Sequence, residues 1–282
     1  MENLGYYNGS FGLLEDMKIP MNDRVCYFGD GVYDATYTAN HVIYALDDHV
    51  DRFFNSAKMI DISILLSKKD LKNLLQEMVK KVDSPNQFLY WQITRGTAIR
   101  NHAYPETDIP SNLWITIKPG SIKDVYQKFK LITVEDTRFF HCNIKTLNLL
   151  PNVMASQKAM EAGCDEAVFH REDRVTECAH SNISILKNGV LRTAPLDNLI
   201  LPGITRGHLL QFCRQNGIPV DESPFTLNDL TNADEVIVTS AGALCIAASE
   251  INGFPVGGKA PDLLNILQKS ALDKFQQETG TL

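Results

Sequence analysis

The stretch Asn143-Ile144-Lys145-Thr146-Leu147-Asn148-Leu149-Leu150 sets one lysine between an apolar residue and a helical pattern expected over 147–162. Packing of its neighbours can hold such a lysine with its amine facing a cleft. A partly desolvated amine loses its proton more easily and becomes nucleophilic, the condition for covalent work on a carbonyl group. Most lysines are solvated surface groups, so the segments around Lys145 decide between the two readings.

Toward the carboxyl terminus two polar breaks follow. Glu177 lies in Val175-Thr176-Glu177-Cys178-Ala179-His180-Ser181-Asn182, between strand patterns at 174–176 and 183–186. A carboxylate there is either solvated and idle or aimed at a ring nitrogen that it keeps protonated. In Leu199-Ile200-Leu201-Pro202-Gly203-Ile204-Thr205-Arg206 a Pro-Gly turn leads into a helix expected over 205–215, which stops at Asn216-Gly217. Free N–H groups at a helix start, with the Thr205 hydroxyl, suit a phosphate, although many helices that begin this way bind nothing.

Toward the amino terminus, short runs rich in Tyr and Val alternate with turn residues. Strands are expected over 25–28, 31–39 and 41–46, broken at Asn22-Asp23, Gly29-Asp30-Gly31 and Ala39-Asn40. Asp47-Asp48 opens a helix with Val50, Phe53, Phe54, Ala57 and Ile60 on one side, and 68–82 carries Leu71, Leu74, Leu75, Met78 and Val82 at helical spacing. Strands at 88–94 and 113–117 follow. Beyond Pro119-Gly120-Ser121, the best linker signal, come strands at 130–134 and 166–170, a strand-rich stretch from Glu235 and a last helix over 261–278. Strand runs with helices between hairpins indicate an α+β fold rather than a doubly wound sheet. The expected division is a small two-layer domain (1–118), a linker (119–123) and a larger strand-rich, barrel-like domain (124–282) that carries Lys145.

At 282 residues, 44% hydrophobic and 22% charged, the chain is that of an ordinary globular protein with a sizeable core. Its formal charge is −7 and its Lys and Arg are scattered without a basic run, which argues against a nucleic-acid partner. No Gly-x-Gly-x-x-Gly marks a dinucleotide domain. The amino terminus has no signal-peptide pattern and no apolar run is long enough to span a bilayer, so no membrane partner is expected. Six cysteines without a Cys-x-x-Cys pair suggest reduced thiols in the cytoplasm, with neither a disulfide framework nor a metal site.

As an ordered set, Lys145-Thr146-Leu147-Asn148 with Asn152, Thr176-Glu177 with Ser181-Asn182, and Leu201-Pro202-Gly203-Ile204-Thr205-Arg206 resemble the fold-type IV (class IV) pyridoxal-phosphate-dependent enzymes. These are the D-amino acid aminotransferases, the branched-chain aminotransferases and the aminodeoxychorismate lyases. The resemblance runs over nearly the whole chain. It implies pyridoxal 5'-phosphate as cofactor, Lys145 as the catalytic Schiff-base lysine, Glu177 on the pyridine nitrogen and Leu201 against the ring. Arg52, in Asp48-His49-Val50-Asp51-Arg52-Phe53, is similar to the family's phosphate-binding arginine, with Ile204 and Thr205 completing the cup and Ser240 adding a hydroxyl. The alternative for Arg52, a helix-surface arginine paired with Asp48, is weakened by the matching His-x-Asp-Arg context. Two departures stand out: Cys178-Ala179-His180 replaces a run that commonly holds Gly and small hydroxyl residues, and Thr239-Ser240-Ala241-Gly242-Ala243 lacks a second hydroxyl. His180 is either a pocket wall or a solvent-facing residue, and no catalytic role is expected of it.

Phe28-Gly29-Asp30-Gly31-Val32-Tyr33-Asp34 and Thr94-Arg95-Gly96-Thr97-Ala98-Ile99-Arg100-Asn101-His102 are similar to the D-amino acid aminotransferase branch. By that resemblance Arg100, His102 and Tyr33 bind the substrate carboxylate, for which a guanidinium fork is well shaped. The implied reaction is transamination between a D-amino acid such as D-alanine and a 2-oxo acid such as 2-oxoglutarate, giving pyruvate and D-glutamate. The implied assembly is a homodimer in which Arg100 and His102 serve the partner's site. The alternatives are a branched-chain L-amino acid aminotransferase, an aminodeoxychorismate lyase and a cofactor-binding homologue without turnover.

Overall fold

The computed structural model describes residues 1–105 and 109–281. The chain divides into two compact units, Met1–Ser121 with Ile144–Asn148 and Gln276–Leu282, and Ile122–Asn143 with Leu149–Phe275.

The first unit is built on an antiparallel sheet in the order β2-β1-β6-β5-β3-β4. Its strands are β1 (Leu4–Tyr7), β2 (Ser10–Gly12), β3 (Gly31–Ala39), β4 (Val42–Ile43), β5 (Gln87–Thr94) and β6 (Asn112–Pro119). Its helices are α1 (Arg24–Phe28), α2 (Leu46–Met59) and α3 (Lys68–Val79). The amphipathic spacing seen in the sequence is the packing: α2 buries Val50, Phe53 and Ala57, and α3 buries Leu71, Leu75, Met78 and Val79. They meet Leu89, Trp91, Ile93, Ile115 and Ile117 from the sheet in one core. The side chain of Ser67 caps α3 by accepting from the Asp70 amide.

Two local expectations change. Residues 25–28 are the helical turn α1 rather than a strand. The Asp23 side chain accepts from the Val25 amide at 2.9 Å, and Gly29 ends the turn at φ 61°, so cap and stop outweigh the β propensity of Val and Tyr. The strand expected over 41–46 shrinks to Val42–Ile43, because Asn40, His41 and Ala45 all take positive φ. The short β1 and β2 at the amino terminus carry no sequence signal of their own; too few residues alternate there to give a period.

Lys145 lies in the first unit, not in the carboxy-terminal one where chain order placed it. The cause is backbone pairing. The Tyr33 amide donates to the Lys145 carbonyl at 3.0 Å, the Leu147 amide donates to the Gly31 carbonyl at 3.1 Å, and Val32 and Thr146 form a β-bridge. Residues 144–147 thus cover an open stretch of β3, whose N–H and C=O groups need partners. Gly31 permits the approach, since a Cβ there would lie 2.5 Å from the Ile93 carbonyl oxygen and 2.7 Å from Leu147 Cδ1.

The second unit holds a nine-stranded mixed sheet in the order β12-β11-β10-β13-β14-β7-β8-β9, with β15 on β14. The strands are β7 (Lys128–Glu135), β8 (Glu166–Arg171), β9 (Arg174–Cys178), β10 (Asn182–Lys187), β11 (Val190–Thr193), β12 (Val220–Asp221), β13 (Glu235–Thr239), β14 (Ile246–Ile251) and β15 (Phe254–Pro255). The helices are α4 (Leu150–Glu161), α5 (Ile204–Gln215), α6 (Leu227–Thr231) and α7 (Pro261–Thr279), whose residues from Gln276 belong to the first unit. β7 and β8 are parallel and α4 lies in the connection between them. α4 starts at Leu150, three residues later than the periodicity suggests, with Pro151 in its first turn. β10 and β13 are buried along nearly their whole length, and β13 accordingly carries the apolar run Val236-Ile237-Val238. The two units together are the α+β architecture expected.

No helix among the described residues is long and apolar enough to cross a membrane. All six cysteines are free thiols.

Candidate active site

The candidate residues fall into two sets, one in each unit. In the first, the backbone of Lys145 is fixed on β3 as described, and its amide also donates to Ser56 Oγ at 3.3 Å. The half-buried side chain places Nζ 4.3 Å from the centroid of the Tyr33 ring. Tyr33 stacks on Tyr90 at 5.3 Å, and the Tyr90 hydroxyl donates to Gln92 Oε1 at 2.7 Å. The tyrosine expected to contact substrate is therefore ordered, and it lies beside the lysine.

Side chains alternate across a strand, so Asp34 faces the other way. It is fully buried and grips Arg52 in a fork: Nε donates to Oδ2 at 2.9 Å and Nη2 to Oδ1 at 2.7 Å. His49 Nδ1 lies 2.8 Å from Oδ1. Burial alone would raise the Asp34 carboxyl, but Arg52 and His49 outweigh it and hold the group well below the usual carboxylate range. Burial lowers the His49 imidazole against the pull of Asp34, which favours the neutral ring donating Nδ1–H to the carboxylate. A buried carboxylate thus grips Arg52, whose side chain is only 10% exposed. Asp34 carries no role in the sequence reading. Its signal was a carboxylate at an inward position of a strand, between Val32 and Thr36.

Arg100 and His102 lie on an exposed loop and converge on one ring. The Arg100 guanidinium is 5.2 Å from the Phe28 centroid and the His102 ring 5.1 Å from it. Two donors of the kind a carboxylate needs are thereby brought together.

In the second unit, Glu177 is buried at the end of β9 with donors on both oxygens. Arg138 Nη1 donates to Oε1 at 2.5 Å, while Asn182 Nδ2 and the Leu201 amide each donate to Oε2 at 3.0 Å. Asn182 Nδ2 also donates to the Leu201 carbonyl at 3.0 Å, so Glu177, Asn182 and Leu201 form one rigid group. A Cβ on Gly203 would collide with Asn182 Oδ1, which explains the glycine before the helix. Ile204 and Thr205 are the first residues of α5, whose Gly203 cap offers no side-chain hydrogen bond to the first N–H groups. Such an end is suited to an anion. Ser240 follows β13 and its Oγ accepts from the Ala243 amide at 3.1 Å.

Arg138 was missed in the sequence. Asp136 holds it through two contacts of 2.9 Å, and it also donates to the Leu199 carbonyl at 3.1 Å. Against the effect of burial, Asp136 and Glu177 push its pKa up, while Arg138 draws Asp136 down. The available signal was Glu135-Asp136-Thr137-Arg138, charges clustered where an apolar strand ends.

The departures at 178–180 resolve into structure. Burial pushes the Cys178 thiol well above its usual value, so it is a poor nucleophile. His180 is exposed and pairs through Nδ1 with buried Glu166, which also accepts from Ser181 Oγ at 2.8 Å.

The two-unit α+β fold is that of the fold-type IV aminotransferases. Residues 31–251 match the class IV amino-transferases, and the chain belongs to that family. It is 39% identical over 274 residues to the D-alanine aminotransferase of Listeria monocytogenes serotype 4b (95% of this chain, 94% of the relative). It is 38% identical over 269 residues to that of Bacillus licheniformis (94% of each). Its fold superposes on Escherichia coli branched-chain amino acid aminotransferase with a TM-score of 0.88 at 21% identity, covering 99% of this chain and 96% of that one. The branched-chain aminotransferase of the thermophilic archaeon Thermoproteus uzoniensis, with norvaline, gives 0.85 at 24% identity, with 98% and 95% covered. At such identities the likeness to these structures concerns the fold alone.

Proposed function

We propose that the chain is a D-amino acid aminotransferase that holds pyridoxal 5'-phosphate on Lys145 and moves the amino group of D-alanine to 2-oxoglutarate. The observation that carries this reading is the convergence of Arg100 and His102 on Phe28. The sequence relatives, D-alanine aminotransferases at 38–39% identity, support the same branch. The likeness to branched-chain aminotransferases does not discriminate, because both branches share the fold.

The residues fit the cofactor: Asp34 aims a forked guanidinium, α5 begins with uncapped N–H groups, and a buried carboxylate has its oxygens fixed. Arg52, Ile204, Thr205 and Ser240 would hold the phosphate, Leu201 would pack on the ring and Glu177 would face its nitrogen. When bound, the group supplies an electron sink at the substrate Cα. Arg100 and His102 bind the substrate carboxylate and so decide which face of Cα is presented. The Lys145 amine takes the Cα proton, helped by its high local concentration.

A panel of D- and L-amino acids with 2-oxoglutarate tests this. D-alanine should bleach the visible cofactor band and yield pyruvate, while L-leucine leaves the band unchanged. The opposite pattern means a branched-chain L-aminotransferase, and a band that no amino acid bleaches means a binding protein without turnover.

We also propose a cytoplasmic homodimer in which the Arg100–His102 loop serves the partner's lysine. Lys145→Ala and Arg100→Ala chains should each be nearly inactive, and mixing them after dissociation should restore activity. A mixed dimer then carries both lesions in one site and leaves the other intact. Random pairing makes half the dimers mixed, so roughly a quarter of wild-type activity returns under two-fold symmetry. A loop acting within its own chain leaves a lesion in every site, and mixing restores nothing.

A further inference from the structure

Arg100 and His102 are themselves exposed, so the shape of their loop has to be held by something else. Arg24 is only 2% exposed and lies at the start of α1, where its amide donates to the Gly96 carbonyl at 3.0 Å. Its Nη1 donates to the carbonyls of Asn101 at 2.7 Å and Ala103 at 3.3 Å. These carbonyls flank His102. The guanidinium also lies 5.0 Å from the Phe28 centroid, the ring on which Arg100 and His102 converge. Its Nε donates to Asp30 Oδ2 at 2.7 Å.

Asp30 is shared. Arg95 Nε donates to its two oxygens at 3.1 and 2.9 Å, and Arg95 Nη1 and Nη2 donate to the carbonyls of Asp61 at 2.9 Å and Ile60 at 2.7 Å. The Arg95 guanidinium lies 3.7 Å from the Tyr104 ring centroid, two residues beyond His102. One carboxylate therefore joins an arginine that grips the loop at 101 and 103 to another that stacks under residue 104 and is anchored at the end of α2. Burying a guanidinium is costly unless a counter-charge and hydrogen bonds offset it. Here the counter-charge is Asp30 and the hydrogen bonds are spent on the loop.

We infer that Arg24, with Asp30, is a positioning residue that fixes the 100–103 loop in its carboxylate-binding shape before substrate arrives. The inference rests on the reading of Arg100 and His102 as the carboxylate donors. It assigns Arg24 no contact with substrate, and its effect falls on substrate capture rather than on proton transfer at Lys145. An arginine is required because one planar fork spans a carboxylate and two carbonyls, which a single ammonium cannot do.

The test compares Arg24→Ala, Arg24→Lys and Asp30→Asn with Arg100→Ala as reference, in the cofactor-loaded enzyme. Steady-state kinetics with D-alanine are read beside amide hydrogen exchange over 99–104. Arg24→Ala should raise KM roughly ten- to hundredfold, the penalty expected for a displaced binding group, with a smaller change in kcat. Exchange over 99–104 should speed up while that of β5 stays as in the wild type. Arg24→Lys should raise KM less than Arg24→Ala, and Asp30→Asn should raise it in the same direction. If Arg24→Ala does not fold, Arg24→Lys and Asp30→Asn decide by the same two readouts. Unchanged KM and unchanged exchange overturn the inference, as does a fall in kcat at constant KM. If Arg100→Ala leaves KM unaltered, the carboxylate reading itself falls, and that failure is visible apart from the exchange result.

Discussion

Lys145→Ala should lower transamination by more than about 10⁴-fold, because general acid–base work alone is worth up to that much and the proposed covalent anchor would go with it. The variant should also lack the proposed borohydride-reducible link between chain and cofactor, which mass spectrometry would detect in the wild type as an adduct on the peptide containing residue 145. The fold should survive. What ties residues 144–147 to the first unit is backbone: the Lys145 carbonyl on the Tyr33 amide and the Leu147 amide on the Gly31 carbonyl. An alanine keeps both. The side chain gives up a contact with the Tyr33 ring, worth roughly 0.5–2 kcal/mol at most. A stable variant that still forms a full-stoichiometry reducible adduct would show that another amine carries the cofactor.

Glu177→Gln should leave the cofactor bound while slowing the half-reaction with D-alanine by roughly 10²–10³-fold, the usual effect of deleting one preorganised electrostatic partner of a reacting system. The surroundings make this a severe change despite the similar shape. Arg138 Nη1 donates to one oxygen, and Asn182 Nδ2 with the Leu201 amide donate to the other. An amide offers an acceptor to only one of these sides and turns an NH2 group toward donors on the other. Its stability cost is about 1–3 kcal/mol for a buried donor left unmatched. Stopped-flow spectroscopy separates the effects, since cofactor content reports the binding and the rate of band loss reports the proton transfer. A near-normal half-reaction would reduce Glu177 to a structural residue.

Much of the local architecture follows from the sequence because its causes are local. Alternation sets β3 over Gly31–Ala39, and the i, i+3, i+4 spacing of Leu71, Leu74, Leu75 and Met78 sets α3. The order of the Lys145, Glu177 and Leu201–Arg206 segments is likewise a property of the chain as written, and it carries the resemblance to the family. Where local signals compete, as at 25–28, side-chain caps and a positive-φ glycine win over propensity, and only the folded backbone shows it.

Tertiary structure decided the partnerships. Arg52 is gripped by Asp34, eighteen positions earlier on β3. Arg138 reaches Glu177 across thirty-nine positions, and Arg24 reaches the loop of His102 across seventy-seven. Lys145 joins the first unit although its sequence neighbours on both sides belong to the second. None of these contacts leaves a period or a spacing in the sequence. Each arises because a buried charge, or an open strand's N–H and C=O groups, must be matched by whatever group the fold brings within reach, and a linear chain does not record that nearness.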